Sequence, residues 1–368
     1  MKYLISIIAM LMINFIWFSE GKSWSYPLIV DITEITFDYQ SGYTYDALDI
    51  RKNNTTDISK PEYKPSSGRN NPFAYIKNQS SRKVKAKFYH NQGDSSDIFT
   101  MTIGAIMGSG TGLGDLPPVV VSFPGGAATS SQALFTGQDP ISGTIGKRNF
   151  LWSWYVSKVN GQSIGMQEHA STSHGYFTLL NTPQNPMPEP WTEVLDYACV
   201  WAANKSSESS AVRAITQKAY TSFNRKYNGN KDHTNVSTKT FYLTIFLADP
   251  THDADCSDMA ATVNVFTRAI GVSFSKVRKI YPPFVYKRIK PVGEGVWRLA
   301  GSGSFNYHYI SWFNGKVYDS CLKLCNNQTP PGNERVPQGE NINDPYEVDL
   351  RYSGTWVVDE PFYFENIE

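Results

Sequence analysis

Charge is scarce in this chain and nowhere gathered. Only 18% of its 368 residues are charged, Lys+Arg 34 stand against Asp+Glu 33, and the formal net charge is +1. No run of five or six like charges occurs, so there is no basic stripe with which to hold nucleic acid or an anionic surface, and no nucleic-acid partner is expected. Cysteine is equally sparse, at Cys199, Cys256, Cys321 and Cys325. That is too few for a disulfide scaffold, and a chain of this length needs no such staples to fold. Beyond the N-terminus no apolar run approaches the ~20 residues of a membrane-spanning helix. Gly 27 and Pro 21 stay near ordinary levels, which excludes collagen-like and linker-dominated chains. What the chain does have is apolar mass: 40% hydrophobic residues, with Tyr 22, Phe 20 and Trp 9. Such a composition builds a large core rich in strands, and the length allows about two domains of ~150 residues each.

The N-terminus reads as a secretory signal over residues 1–21. Lys2 is followed by an apolar run from Tyr3 to Phe18, broken only by Asn14, and then by Ser19-Glu20-Gly21, with the cut after Gly21. The run is short for a membrane span. The expectation is therefore a secreted or periplasmic protein, soluble after signal cleavage. An oxidising compartment permits disulfides.

Residues 22–181 read as an antiparallel β-sandwich-like domain. Ile35 to Tyr39 alternates apolar and polar residues, and Val84-Lys85-Ala86-Lys87-Phe88 places apolar side chains on one face and lysines on the other. Leu116–Phe123 and Phe150–Val156 are further strand candidates. Gly108, Gly110, Gly112 and Gly114 match no phosphate-binding spacing and read as a turn. Four prolines from Pro183 to Pro190 then form a stiff connector. Helical spacing follows at Leu195, Ala198, Cys199 and Ala202, then at Val212, Ile215, Ala219 and Phe223, and again at Met259, Val263, Phe266 and Ile270, closed by Gly271. Strands are expected at Phe241–Leu247, Phe284–Ile289, Val296–Leu299, Tyr307–Phe313 and Lys316–Tyr318. Residues 191–325 thus form an α+β domain, and 326–368 a Pro-rich loop with C-terminal strands.

The chemistry gathers at Cys256, which stands where a loop becomes a helix. The free N–H groups and positive dipole end there favour a thiolate, so a lowered pKa is expected. His308 lies in a strand, and Asn314-Gly315 is a strong hairpin signal that pairs this strand with the one leading to Asp319. Asp319 then stands beside His308, fixes its tautomer and stabilises the imidazolium. Asp253, Asp255 and Asp258 lack the spacing and glycine of a calcium loop and read as helix caps.

The stretch D-C-S-D-M-A-A-T-V-N-V-F-T-R-A-I-G-V from Asp255 to Val272, together with the later H-Y-I-S-W-F-N-G-K-V-Y-D, resembles the transglutaminase-like superfamily. The resemblance spans roughly Trp191 to Cys325 and implies a papain-like α+β core. It makes Cys256 the nucleophile, His308 the general base and acid, and Asp319 the orienting carboxylate, with no cofactor. It implies attack on an amide or peptide bond through a thioester, with hydrolysis favoured over cross-linking, in a protein or peptide substrate or a cell-surface polymer. A nucleophilic Cys256 leaves Cys321 and Cys325 to bridge each other or Cys199. The rival reading is a catalytically silent binding or structural module on the same core; a third makes His169 and His174 metal ligands of a hydrolase.

Overall fold

The computed structural model describes residues 27–37, 47–80, 82–92, 97–326 and 333–368. The expected signal at 1–21 lies outside the described residues, as does the end of the strand expected at Ile35 to Tyr39. Among the described residues no helix is long and apolar enough to cross a membrane. The fold is mixed α+β and mostly sheet.

The first half forms two five-stranded sheets. One has the order Arg69–Asn70, Tyr63–Lys64, Val30–Thr36, Lys83–His90, Ala133–Thr136, and the other Phe73–Ile76, Gln162–Leu179, Gly146–Val159, Thr100–Gly110, Leu116–Ser122. Neighbours are antiparallel except Phe73–Ile76, which runs parallel to Gln162–Leu179. Strand alternation works as read from the sequence: Val84, Ala86 and Phe88 are buried while Lys83, Lys85 and Lys87 lie between them, half-buried. One aromatic core joins the two sheets, with Phe73 stacked 5.5 Å from Tyr176, and Trp152 and Trp154 fully buried. Each indole finds an acceptor, Trp152 on Gly114 O and Trp154 on Thr172 Oγ1, both at 2.9 Å, as a buried N–H must. The glycine run is less loop-like than expected, since Gly108 and Gly110 end the strand Thr100–Gly110.

The helices are α1 (Thr192–Trp201), α2 (Glu208–Ser222), α3 (Leu243–Ala248) and α4 (Cys256–Ala269). Every residue of α4 is buried, because α1, α2 and a β-sheet pack around it. Its apolar residues Met259, Val263 and Phe266 share one core with Val194 and Leu195 of α1 and with Phe177 and Leu179 from the last sandwich strand. The seam is closed by backbone: Leu180 N–H and Asn181 N–H both donate to Ile270 O. Gly271 ends α4 as expected, at φ +90°, where a side chain would strike the Asn181 backbone.

Two strand expectations are corrected. Phe241–Leu247 is only a two-residue strand at Thr240–Phe241 followed by α3, in which Leu243 and Phe246 are buried three positions apart. Val296–Leu299 forms no strand, since Val296 and Leu299 face solvent and have no core to pin them.

The second sheet system runs Gln338–Glu340, Lys316–Tyr318, His308–Phe313, Ser275–Tyr281, Val357–Val358, all antiparallel. The expected hairpin is present, with Trp312 opposite Val317, and Asn314 and Gly315 both left-handed at φ 47° and 77°. The polar tail is part of this fold where it is described: it supplies both edge strands, and Asn366–Ile367 pairs parallel to Thr240–Phe241.

Candidate active site

The site begins at the first turn of α4, where Asp255 starts the helix. Its carboxylate accepts Asp258 N–H at 2.9 Å, and the Asp258 carboxylate accepts Asp255 N–H at 3.2 Å, a reciprocal capping box. Asp258 is further held by His233, through its backbone N–H at 2.8 Å and its Nδ1 at 2.9 Å. Ser257 donates to Asp255 Oδ1 at 2.7 Å and shares a 2.6 Å hydroxyl contact with Thr234, whose hydroxyl bonds Asp232. Carboxylate oxygens of Asp232, Asp255 and Asp258 thus lie within 4.8 Å of one another. Both oxygens of Asp258 and the Oδ1 of Asp255 are taken by protein donors, which supports the reading of Asp255 and Asp258 as caps.

Cys256 is the first residue of α4 and only 3% exposed. The expectation of a lowered pKa is corrected: burial and the Asp255 carboxylate push the thiol well above its ordinary value, while the backbone N–H of Tyr309 acts the other way. Magnitudes explain the sign. A helix terminus is worth at most ~2 kcal/mol, about one and a half pKa units, whereas full burial moves a group by ~3–5 units. Burial and its neighbour Asp258 also push Asp255 up, to about 7. At rest the sulfur is a thiol.

The other two candidates meet directly. His308 opens the strand His308–Phe313, Asp319 follows Lys316–Tyr318, and His308 Nε2 stands 2.9 Å from Asp319 Oδ2, both buried. A carboxylate only accepts, so the imidazole proton sits on Nε2 and Nδ1 carries the lone pair. Nδ1 is buried and has no hydrogen-bond partner among the described residues. Alternation along the strand separates the faces. Ser311 donates to Ala260 O on α4 at 3.0 Å, whereas His308 stacks 4.9 Å from Phe305 on the other face. Next to Asp319, Ser320 donates to Met259 O at 3.0 Å. Two hydroxyls therefore tie the His and Asp strands to the first turns of the Cys256 helix. The thiol stands beside the backbone N–H of Tyr309, one residue from His308, but no hydrogen bond joins it to the imidazole. Structure thus pairs His308 with Asp319 and brings Cys256 to the same strand end without closing the third contact.

A cleft of about 420 Å³ opens beside this point, lined by Ser257, Tyr307, Tyr309, Tyr242 and Asp232 among others. Tyr307 and Tyr309 flank His308 in sequence, and Ser257 follows Cys256.

Two expectations fail here. No disulfide forms: Cys199 faces Thr178 O, Cys325 faces Arg288 O, and Cys321 lies buried near Asp319 and Cys256. All four thiols are buried in the core, and Cys321, although near Cys256, forms no bond with it. The His169 and His174 metal pair also fails. His174 is buried among Phe37, Phe150 and Trp152, its Nε2 is bound at 2.8 Å to Thr172 Oγ1, and burial drives its pKa down to about 3. Its Nε2 is engaged with the Thr172 hydroxyl, and neither histidine belongs to a cluster of three metal-ligating groups among the described residues.

Sequence reasoning missed four residues: His233, which buttresses the cap, Ser311 and Ser320, which dock the strands, and Tyr346, whose hydroxyl donates to Asp319 Oδ2 at 2.7 Å. The serines carried a signal, alternating with His308 and Asp319 beside a hairpin; Tyr346 carried none. Comparison with family models and with curated proteins finds no match to this chain.

Proposed function

We propose that this protein is an exported, transglutaminase-like thiol hydrolase that opens an amide or peptide bond through Cys256. The observation that carries the reading is the buried His308–Asp319 pair, its second ring nitrogen without a partner, at the strand end where the α4 thiol lies. For this the His308 ring, on the strand face away from α4, must turn its Nδ1 around the strand end to the thiol. Nδ1 then takes the thiol proton as Sγ attacks the acyl carbon. The tetrahedral oxyanion falls near the first-turn N–H groups of α4, which have no intrahelical acceptor. Collapse to the thioester breaks the C–N bond, and the imidazolium gives its proton to the departing amine. Water, deprotonated by His308, then attacks the thioester and releases the acid and the thiol. Asp319 holds the ring and stabilises its charged form throughout. A polypeptide lying in the tyrosine-lined cleft would present its carbonyl beside Cys256. Export rests on the apolar run after Lys2.

A second reading, a silent binding module on the same core, is favoured by one observation: the thiol is almost fully buried and no hydrogen bond joins it to His308. Brief iodoacetamide labelling of the native protein across a pH series, with mass-spectrometric mapping, separates the two. Selective labelling of Cys256, slowed in His308→Ala, together with loss of peptide turnover in Cys256→Ala, supports the enzyme. An inert Cys256 supports the module.

A further inference from the structure

Asp319 serves more than His308. Its Oδ1 accepts Cys321 N–H at 2.8 Å, and its Oδ2 accepts both His308 Nε2–H at 2.9 Å and the Tyr346 hydroxyl at 2.7 Å. Tyr346 comes from the C-terminal segment beyond the stretch that carries the Cys, His and Asp motifs. It is fully buried in the core that holds Phe305, Ile310 and Val317. Burial and the adjoining carboxylate push this phenol well above its ordinary pKa, so it remains a donor throughout the working range. The ionisable groups around Tyr346 and Asp319 include Glu340 on the edge strand, Cys321 and Tyr220 of α2, with Arg298, Cys256 and the cap residue Asp255 acting on Cys321. No side chain besides His308 and Tyr346 hydrogen-bonds Asp319 among the described residues.

Two donors on one carboxylate oxygen share its charge. Each proton drawn to Oδ2 weakens the stabilisation that Asp319 offers to an imidazolium, and three donors on two oxygens fix the carboxylate plane. We propose that Tyr346 is a positioning residue of the thiol site: it orients Asp319 and, by sharing Oδ2, limits the negative charge that Asp319 presents to the His308 ring. The inference rests on the Cys256–His308 reading above. It makes the C-terminal segment a working part of the site.

Tyr346→Phe removes one oxygen and keeps the ring. In the full chain, two titrations read the effect: the His308 ring by proton NMR, and alkylation of Cys256 by iodoacetamide with peptide mapping. The expected result is a His308 midpoint raised by about one unit, the tenfold change that loss of a hydrogen bond to a charged group produces, and a Cys256 alkylation midpoint moved to lower pH. A packing role alone would speed alkylation equally at every pH and leave both midpoints in place; that result, or an unchanged His308 titration, overturns the inference. If wild-type Cys256 resists alkylation at every pH, the hydrolase reading fails, while the His308 titration still judges Tyr346 by itself.

Discussion

His308 Nε2 lies 2.9 Å from Asp319 Oδ2 with both side chains sealed from solvent, and that contact fixes which ring nitrogen is free to receive a proton. Asp319→Asn removes the charge that holds this tautomer. Comparable exchanges in serine triads lower turnover by about 10⁴. Here the expected outcome is Cys256 alkylation at pH 7 slower by about tenfold or more, because the imidazolium that accompanies a thiolate loses its stabiliser. Equal labelling rates in the variant and wild type would sever Asp319 from the chemistry.

Ser311 and Ser320 dock the His308 and Asp319 strands on α4 through carbonyls of its first turns. Each serine-to-alanine exchange should cost about 1 kcal/mol in chemical denaturation, the net worth of one buried hydrogen bond. Because the two hydroxyls hold neighbouring strands to adjacent carbonyls, the double variant should lose more than the sum of the singles. A strictly additive double variant would mean that the two hydroxyls act independently.

Asp255 keeps its proton in the fold up to about pH 7, whereas its ordinary value is 3.8. Over that window the native state binds the extra proton, so this group lowers stability as pH rises from about 4 to about 7. Asn at this position still offers the cap an acceptor oxygen but cannot titrate. Asp255→Asn should therefore remove this downward contribution, so that stability rises with pH between about 4 and 6.5 where wild type is nearly level. By removing the carboxylate that most raises the thiol it should also move Cys256 alkylation to lower pH. Urea unfolding at a series of pH values, paired with the labelling series, reads both effects; a slope identical to wild type would rule out Asp255 as its source.

His174 acts in the opposite sense. Buried neutral with a pKa near 3, it takes up its proton around 6.5 only in the unfolded chain, so its contribution to stability falls as pH drops from about 6.5 toward 3. At pH 4 the loss is about 3 kcal/mol. His174→Gln, which keeps a hydrogen-bonding amide toward Thr172 Oγ1, should be less stable at pH 7 yet lose little more on acidification. The same unfolding series checks this, and an acid slope equal to wild type would exonerate His174. The two groups oppose each other between pH 4 and 6.5, so wild type should show a shallower dependence there than either variant.

Local patterns in the chain determined a good deal. Alternation marked the strand at Val84 to Phe88, Asn314-Gly315 marked a left-handed turn and so the adjacency of the His308 and Asp319 strands, and Asp255 with Asp258 marked the start of α4. Each of these features is settled within a few residues by backbone sterics or a side-chain-to-backbone bond. Where the local pattern was ambiguous it misled: the apolar run Phe241 to Leu247 fits a strand or a short helix, and only the core around Leu243 and Phe246 chose the helix.

Tertiary packing alone decided the rest. It set Cys199 against Thr178 O and Cys325 against Arg288 O instead of bridging them, and it buried His174 instead of offering it to a metal. Burial and the surrounding carboxylates turned the helix-terminal Cys256 from an expected thiolate into a thiol. Packing also brought His233 to Asp258 and Tyr346 to Asp319, across 25 and 27 residues of chain. Desolvation and hydrogen bonds between distant segments depend on which surfaces meet in three dimensions, and neither periodicity nor spacing along the chain encodes that meeting.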